Sequence, residues 1–251
     1  MIYLFTSALR DFARFRRLLV WVVAVFFISA MCWRVGGQID GLSTAQKYGF
    51  FSSLFTFRIT GLLAAVFSTA VLSQEIEQKT IVYLLTRPIS RIHLLVARWL
   101  AAGVVVFGLS AFCAAIMAQA TGIGFGSAFW LDLKALAVGS FTYSALFVLV
   151  SLLINRAMTV CLLYSFGWEL LSANMPGNLH YTSIYSYMTS LAQHTPIETD
   201  EKGLAILAGQ LGSSVSPTTA LIICGLMTAF LVGVSSWWFS ENEFLPREDA
   251  E

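Results

Sequence analysis

QEIEQKTIVYLLTRPISRIHLLVAR, residues 74–98, is a charged, proline-broken stretch lodged between two long apolar runs. Such a connector makes sense only if the runs beside it are buried, and the composition says what buries them. The chain has 251 residues, 57% of them hydrophobic and 12% charged, with a mean hydropathy of +0.75. Soluble domains carry about 25% charged residues. The charges here also cluster between apolar runs long enough to cross a bilayer, which is the pattern of a polytopic membrane protein. A formal net charge of +1 offers no bulk attraction for nucleic acid.

Working outward, the run before the stretch predicts a span over residues 50–73, containing Arg58, and the run after it a span over residues 94–120. Further apolar runs predict a first span over residues 18–33 and a fourth over 133–154, reached by the Gly-rich turn TGIGFGSAFW. A polar turn at Asn155-Arg156 leads to a fifth span over 157–173, containing Glu169, and the sixth covers 218–239. The expected fold is therefore an all-α polytopic membrane protein with six transmembrane helices. It forms a single membrane domain over residues 1–251, with no soluble domain.

The N-terminal residues 1–17 place Ile2, Phe5, Leu9 and Phe12 on one helical face, with Arg10, Arg14 and Arg17 on another. That is the pattern of an interfacial amphipathic helix, and the basic cluster directly before the apolar run favours it over a plain extension of the first span. Six spans put Arg10, Arg14, Arg16, Arg17, Lys79, Arg87, Arg91, Arg98, Arg156 and Arg247 on one side, against Arg34, Lys47, Lys134 and Lys202 on the other. Lys and Arg accumulate on the cytoplasmic side, so both termini are expected there. Residues 174–217 form the largest extracytoplasmic segment. Its Tyr181, Tyr185 and Tyr187 suit the headgroup level, and its run GLAILAGQLG, residues 203–212, suits a short external or re-entrant helix.

Within residues 74–98, Glu75 and Glu77 stand where carboxylates complement the positive end of a helix dipole. Ile81, Leu84 and Leu85 share one face, Pro88 stops the helix, and Ser90 is placed to cap the next one. Arg87, Arg91 and Arg98 anchor the corner. Two readings fit equally: a lever that passes a push into the third span, or an amphipathic loop that coats the membrane surface.

The run EIEQKTIVYLLTRPISRIHLLVARWLAA resembles the cytoplasmic signature of the type-2 ABC transporter permease family. The matching positions are Glu75 and Glu77, Lys79-Thr80, Leu84-Leu85, Pro88-Ile89-Ser90-Arg91 and Arg98, the last holding an Arg where the family has a Lys-like position. The N-terminal basic helix, the six spans and the long segment after the fifth span fit the same family. The resemblance implies that residues 74–91 are a cytoplasmic coupling helix docking on an ABC ATPase, with Glu75, Glu77, Thr80, Leu84, Leu85, Pro88, Ser90, Arg91 and Arg98 as the coupling residues. It further implies an exporter of two permeases, the second a copy or a paralogue, and two ATPase subunits in a prokaryotic cell membrane. No GxxxxGK[ST] phosphate loop occurs, so ATP and Mg belong to the partner, and no cofactor, metal or catalytic residue is expected in this chain.

Arg58 and Glu169 are charges inside expected spans, which cost at least about 2.5 kcal/mol each and face a partner or a cavity. They are expected to pair, or to line the translocation path together. His180 and His194 are read as surface residues, and Cys32, Cys113, Cys161 and Cys224 as small packing residues. Two other classes stay open. A non-transporting scaffold would dock an ATPase through the same helix. An intramembrane enzyme would need a His inside a span, and none lies there.

Overall fold

Long apolar runs leave backbone amides and carbonyls with only each other as partners, and the helix pairs them within one segment. The computed structural model describes residues 5, 6, 9, 15–36, 42–77, 90–172, 178–195 and 215–241, with 15–19, 33, 35–36, 71–77 and 178–179 described by backbone alone. Among the described residues the fold is entirely helical. The helices are α1 (Phe15–Gly36), α2 (Thr44–Phe51), α3 (Arg58–Glu77), α4 (Arg91–Ala120), α5 (Ser127–Leu153), α6 (Ala157–Leu163), α7 (Glu169–Ser172), α8 (Ile184–Ala192) and α9 (Pro217–Glu241). A π-helical turn at Ser52–Phe57 carries α2 into α3, a second at Tyr164–Trp168 carries α6 into α7, and a 3-10 turn at Asn178–Thr182 precedes α8.

Among the described residues four helices are long and apolar enough to cross a membrane: Thr44–Ala70, Arg91–Ala120, Ser127–Leu153 and Pro217–Glu241. Val20–Cys32 and Ala157–Ser172, where the first and fifth spans are expected, are shorter apolar helices. The second span starts earlier than residue 50 because of a capping box: Ser43 Oγ accepts the Gln46 amide at 3.3 Å, and Gln46 Oε1 accepts the Ser43 amide at 3.0 Å. Between α4 and α5, Gly122 (φ 77°) and Gly124 (φ 64°) take the left-handed backbone that ends a helix, and the Gly124 amide returns to the Ala118 carbonyl at 3.2 Å. Ser90 caps α4 as expected, accepting the His93 amide at 3.4 Å. Phe5 and Leu9 of the N-terminal segment rest on the bundle core.

α5 is the axle, packed against α3, α4, α6, α8 and α9. Trp99 Nε1 of α4 donates to the Phe141 carbonyl at 3.3 Å, and the two rings meet edge to face. Thr142 meets Thr228 of α9 at 2.9 Å. Interior hydroxyls on these helices turn back onto carbonyls of the preceding turn, as Thr60 does to Thr56, Thr69 to Ala65, Ser140 to Leu136 and Ser235 to Leu231. This satisfies a polar group where no water serves, so hydroxyls can sit in the core. The four cysteines are buried free thiols. Large side chains point outward on α1 (Val20, Phe26, Phe27) and α9 (Leu226, Phe230, Trp237), as on a surface solvated by lipid.

One glycine on α5 leaves room for a Cβ only if a buried neighbour moves. A Cβ on Gly139 would stand 2.3 Å from Met188 Sδ and 2.8 Å from its Cε, and Met188 is fully buried. Gly233 on α9 has nothing within 4 Å of such a Cβ. Both substitutions to Ala gain about 1 kcal/mol of helix propensity, but overpacking at Gly139 costs about 1–3 kcal/mol. Gly139→Ala is therefore expected to lower the thermal midpoint in detergent, and Gly233→Ala to hold or raise it.

Candidate functional site

The segment SIYSYMTSLA, residues 183–192, alternates apolar and small polar residues at helical spacing. It forms α8, with Ile184, Tyr185, Tyr187, Met188, Leu191 and Ala192 buried against α5 and α9. At nine residues α8 is too short to hold itself together, and its stability comes from the bundle around it. Tyr185 and Tyr187 thus pack inside the protein, while Tyr181, just before the segment, is exposed. The run at residues 203–212 lies outside the described residues.

A helix beginning inside a bundle must satisfy its first amides without water. Ser183 is the N-cap, accepting the Ser186 amide at 3.3 Å. The carboxylate of Glu169, 5% exposed on α7, accepts the next two: Ile184 N to Oε1 at 3.2 Å and Tyr185 N to Oε2 at 3.2 Å. Ser183 Oγ donates to the same carboxylate. Glu169 therefore places a negative charge on the positive end of the α8 dipole, where it is stabilising.

Arg58 reaches the same point from α3. Its guanidinium carbon lies 5.2 Å from the centre of the Tyr185 ring, a cation–π contact. Tyr185 Oη in turn donates to the Ser53 carbonyl, within the first π turn, at 3.1 Å. Burial pushes the Tyr185 hydroxyl up to about 12, against the opposing pull of Arg58, so the ring Arg58 faces is neutral. Arg58 and Glu169 thus both touch Tyr185, one at its ring and the other at its backbone. Each is the first residue after a π turn. A π turn holds more residues than an α turn and resets which face the following residues occupy, and such turns recur at functional sites.

The other end of α8 is held differently. Gln193 (φ 49°) closes the helix in the left-handed conformation, its amide returning to the Thr189 carbonyl at 3.3 Å. His194 comes next, and its Nε2–H donates to Asp132 Oδ1 of α5 at 2.6 Å. Ser52 Oγ donates to the second oxygen of Asp132 at 2.5 Å. The imidazole stacks on Phe57 with centroids 5.6 Å apart, stands edge to face with Tyr48 at 6.2 Å, and covers Gly49, where a Cβ would come within 3.0 Å of His194 Cβ. Asp132 is fully buried and the His194 side chain is 5% exposed. The reading of His180 and His194 as surface residues is corrected: His180 is buried beside Tyr181, and His194 is drawn inward by a buried carboxylate.

Ser52, Asp132 and His194 carry the residue types of a nucleophilic triad but not its order. The carboxylate stands between the other two, so the imidazole does not face the Ser hydroxyl. Among the described residues no group of three or more His, Cys, Asp or Glu could hold a metal ion. The arrangement holds the exit of α8 against α5.

Of the coupling residues expected from sequence, Ser90, Arg91 and Arg98 lie at the start of α4. Glu75 and Glu77 lie in the last turns of α3 by backbone, while Thr80, Leu84, Leu85 and Pro88 fall outside the described residues. Arg17 lies in α1 by backbone, and Arg10 and Arg14 fall outside the described residues. Sequence reasoning singled out Arg58 and Glu169 but missed Asp132 and His194, which are 62 positions apart. The available signal was an Asp inside a helix otherwise poor in charge, with a His beyond a buried amphipathic segment.

The family described as "ABC-2 family transporter protein" matches residues 4–244 of this chain. No curated protein matches it.

Removing the Glu169 carboxylate leaves the buried amides of Ile184 and Tyr185 unpaired, which costs about 1–3 kcal/mol for each unsatisfied donor. Glu169→Ala is expected to raise amide exchange over residues 184–188 and lower the thermal midpoint. Glu169→Gln, which keeps one acceptor oxygen, is expected to fall between Glu169→Ala and the unaltered protein.

Proposed function

The chain belongs to the ABC-2 transporter family, and on that premise we propose that it is the permease of an ATP-driven exporter in a prokaryotic cell membrane. As a family member it is a multi-pass membrane transport component whose family works with ABC ATPase subunits. The observation that carries the reading is a match running over nearly the whole chain, with the charged, proline-broken connector lying inside it.

In this reading all six apolar helices cross the bilayer and both termini face the cytoplasm. The connector at residues 74–91 docks on an ATPase held by a separate chain, which binds ATP and Mg, and a second permease, identical or paralogous, completes the pathway. Closure of the ATPases then pushes the connector. The push has a physical route into the bundle: Ser90 fixes the start of α4, and Trp99 joins α4 to α5 through the Phe141 carbonyl and ring. α5 bears on α8 through Gly139 and Met188 and on α9 through Thr142 and Thr228. A rigid-body shift of α4 would therefore be felt where Arg58, Tyr185 and Glu169 meet. Arg58 supplies a positive group there, held over an aromatic face.

The partner is expected to be recovered by purifying the tagged protein in nanodiscs and weighing the intact assembly, which names the ATPase and counts the permeases. Charge reversal, Glu75→Lys with Glu77→Lys, is expected to leave insertion unchanged while hydrolysis by the recovered ATPase loses its dependence on the permease. Equal loss of insertion and coupling would support the surface-coat reading, and hydrolysis that no transported compound stimulates would favour a scaffold.

A further inference from the structure

We propose that Trp130 and Lys134, both exposed on one face of α5, form a binding site for the headgroup of an anionic phosphoglycerolipid. The inference rests on the chain lying in a bilayer, as a member of its family, and not on the exporter reading. It concerns the leaflet at the α4–α5 turn, the outer one in the orientation proposed above.

The turn from α4 into α5 exposes large rings that are nonetheless fixed. Phe125 is 58% exposed and Trp130 is 56% exposed. Both meet the buried Phe129 edge to face, with centroids 5.0 and 5.6 Å away. Tryptophan at the end of an apolar helix belongs at the headgroup level, and a ring already held there loses little freedom on binding. Lys134 follows Trp130 by four residues, so the two share a face of α5 about 6 Å apart along its axis. Side chains on a helix lean toward its N-terminus, which carries the Lys134 ammonium toward the indole. Its aliphatic stem can cover apolar surface while the charge reaches the headgroups.

The sign of this surface is set by which charges are buried. Asp132, two residues before Lys134, is fully buried, and its oxygens are taken by Ser52 and His194. Of the helices packed on α5, α4 beyond Arg98, α6, α8 and α9 before Glu241 contain no acid. Glu169 is committed to the amides of α8. Glu75 and Glu77 lie in the last turns of α3, about 30 Å along the chain from the Ser52 that meets Asp132. Among the described residues, therefore, no carboxylate faces Lys134. An ammonium and an indole N–H are donors with no acceptor between them, and the oxygens of a phosphodiester satisfy both. Phosphatidylcholine offers the same phosphate but brings a cation that Lys134 repels; phosphatidylglycerol brings none.

Brominated acyl chains quench nearby tryptophan and so report on this site. The full chain is placed in nanodiscs of equal phosphatidylglycerol and phosphatidylcholine, with bromine on one lipid or the other. Trp130 is one of seven tryptophans, and subtracting the Trp130→Phe variant isolates its emission. Phosphatidylglycerol is expected to be enriched about fivefold over phosphatidylcholine at Trp130, the effect of one cation at an anionic surface. Lys134→Gln is expected to abolish the enrichment and Lys134→Arg to keep it. Should Lys134→Gln fail to fold, the unaltered protein decides: salt at about 1 M, where screening acts within about 3 Å, is expected to erase the enrichment. Equal quenching by the two lipids at low salt, or enrichment that survives Lys134→Gln or high salt, overturns the proposal. Quenching by neither lipid also overturns it, because a second copy or another protein then covers this face. No ATPase or transported compound enters the measurement, so its failure leaves the exporter reading standing.

Discussion

A helix that starts in the interior of an apolar bundle has amides that nothing in its surroundings can satisfy, and in this protein a single carboxylate resolves that problem. Glu169 takes the Ile184 and Tyr185 amides while Ser183 takes the next, and the rest of the arrangement depends on α8 being held there. Because α8 packs on both α5 and α9, α5 presents a glycine to it at position 139. Because Tyr185 is fixed at its backbone, its ring is presented to Arg58 and its hydroxyl reaches a carbonyl of the first π turn. An intramembrane acid looks like a candidate for contact with cargo when read alone. Here its partners are already the amides of its own chain.

The helices themselves were legible from sequence because hydrocarbon leaves so few alternatives. Runs of apolar residues gave the cores of the long helices, and Ser90 was legible as a cap because a short polar side chain after a proline turn has one obvious use. Boundaries moved where local capping outweighed hydropathy. The second span begins at Thr44, within a stretch that reads as polar connector, because Ser43 and Gln46 form a reciprocal cap.

The features that stayed hidden depend on tertiary contact. α8 is too short and too polar to be recognised without the walls that stabilise it. Asp132 and His194 carry no local pattern, since each is an ordinary residue until the other arrives from 62 positions away. Arg58 and Glu169 stood out as charges in apolar runs, but the residue that brings them together, Tyr185, read as one more interfacial tyrosine. Hydropathy finds a buried charge; it does not find the neutral group that makes the charge tolerable.

The π turns carry a consequence of a different kind. Ser52–Phe57 and Tyr164–Trp168 each set the angular position of the helix beyond them, and a helix advances about 100° per residue. A π turn takes about one residue more than an α turn to go once round, so each of these turns absorbs an extra residue while Arg58 and Glu169 keep the faces that meet Tyr185 and α8. Delete one residue from either turn, let regular α-helix close behind it, and the side chains beyond keep nearly the same face. Delete one from the α-helix on either side instead, and everything downstream turns by about 100°. The two turns are the places in these helices where the count of residues has slack.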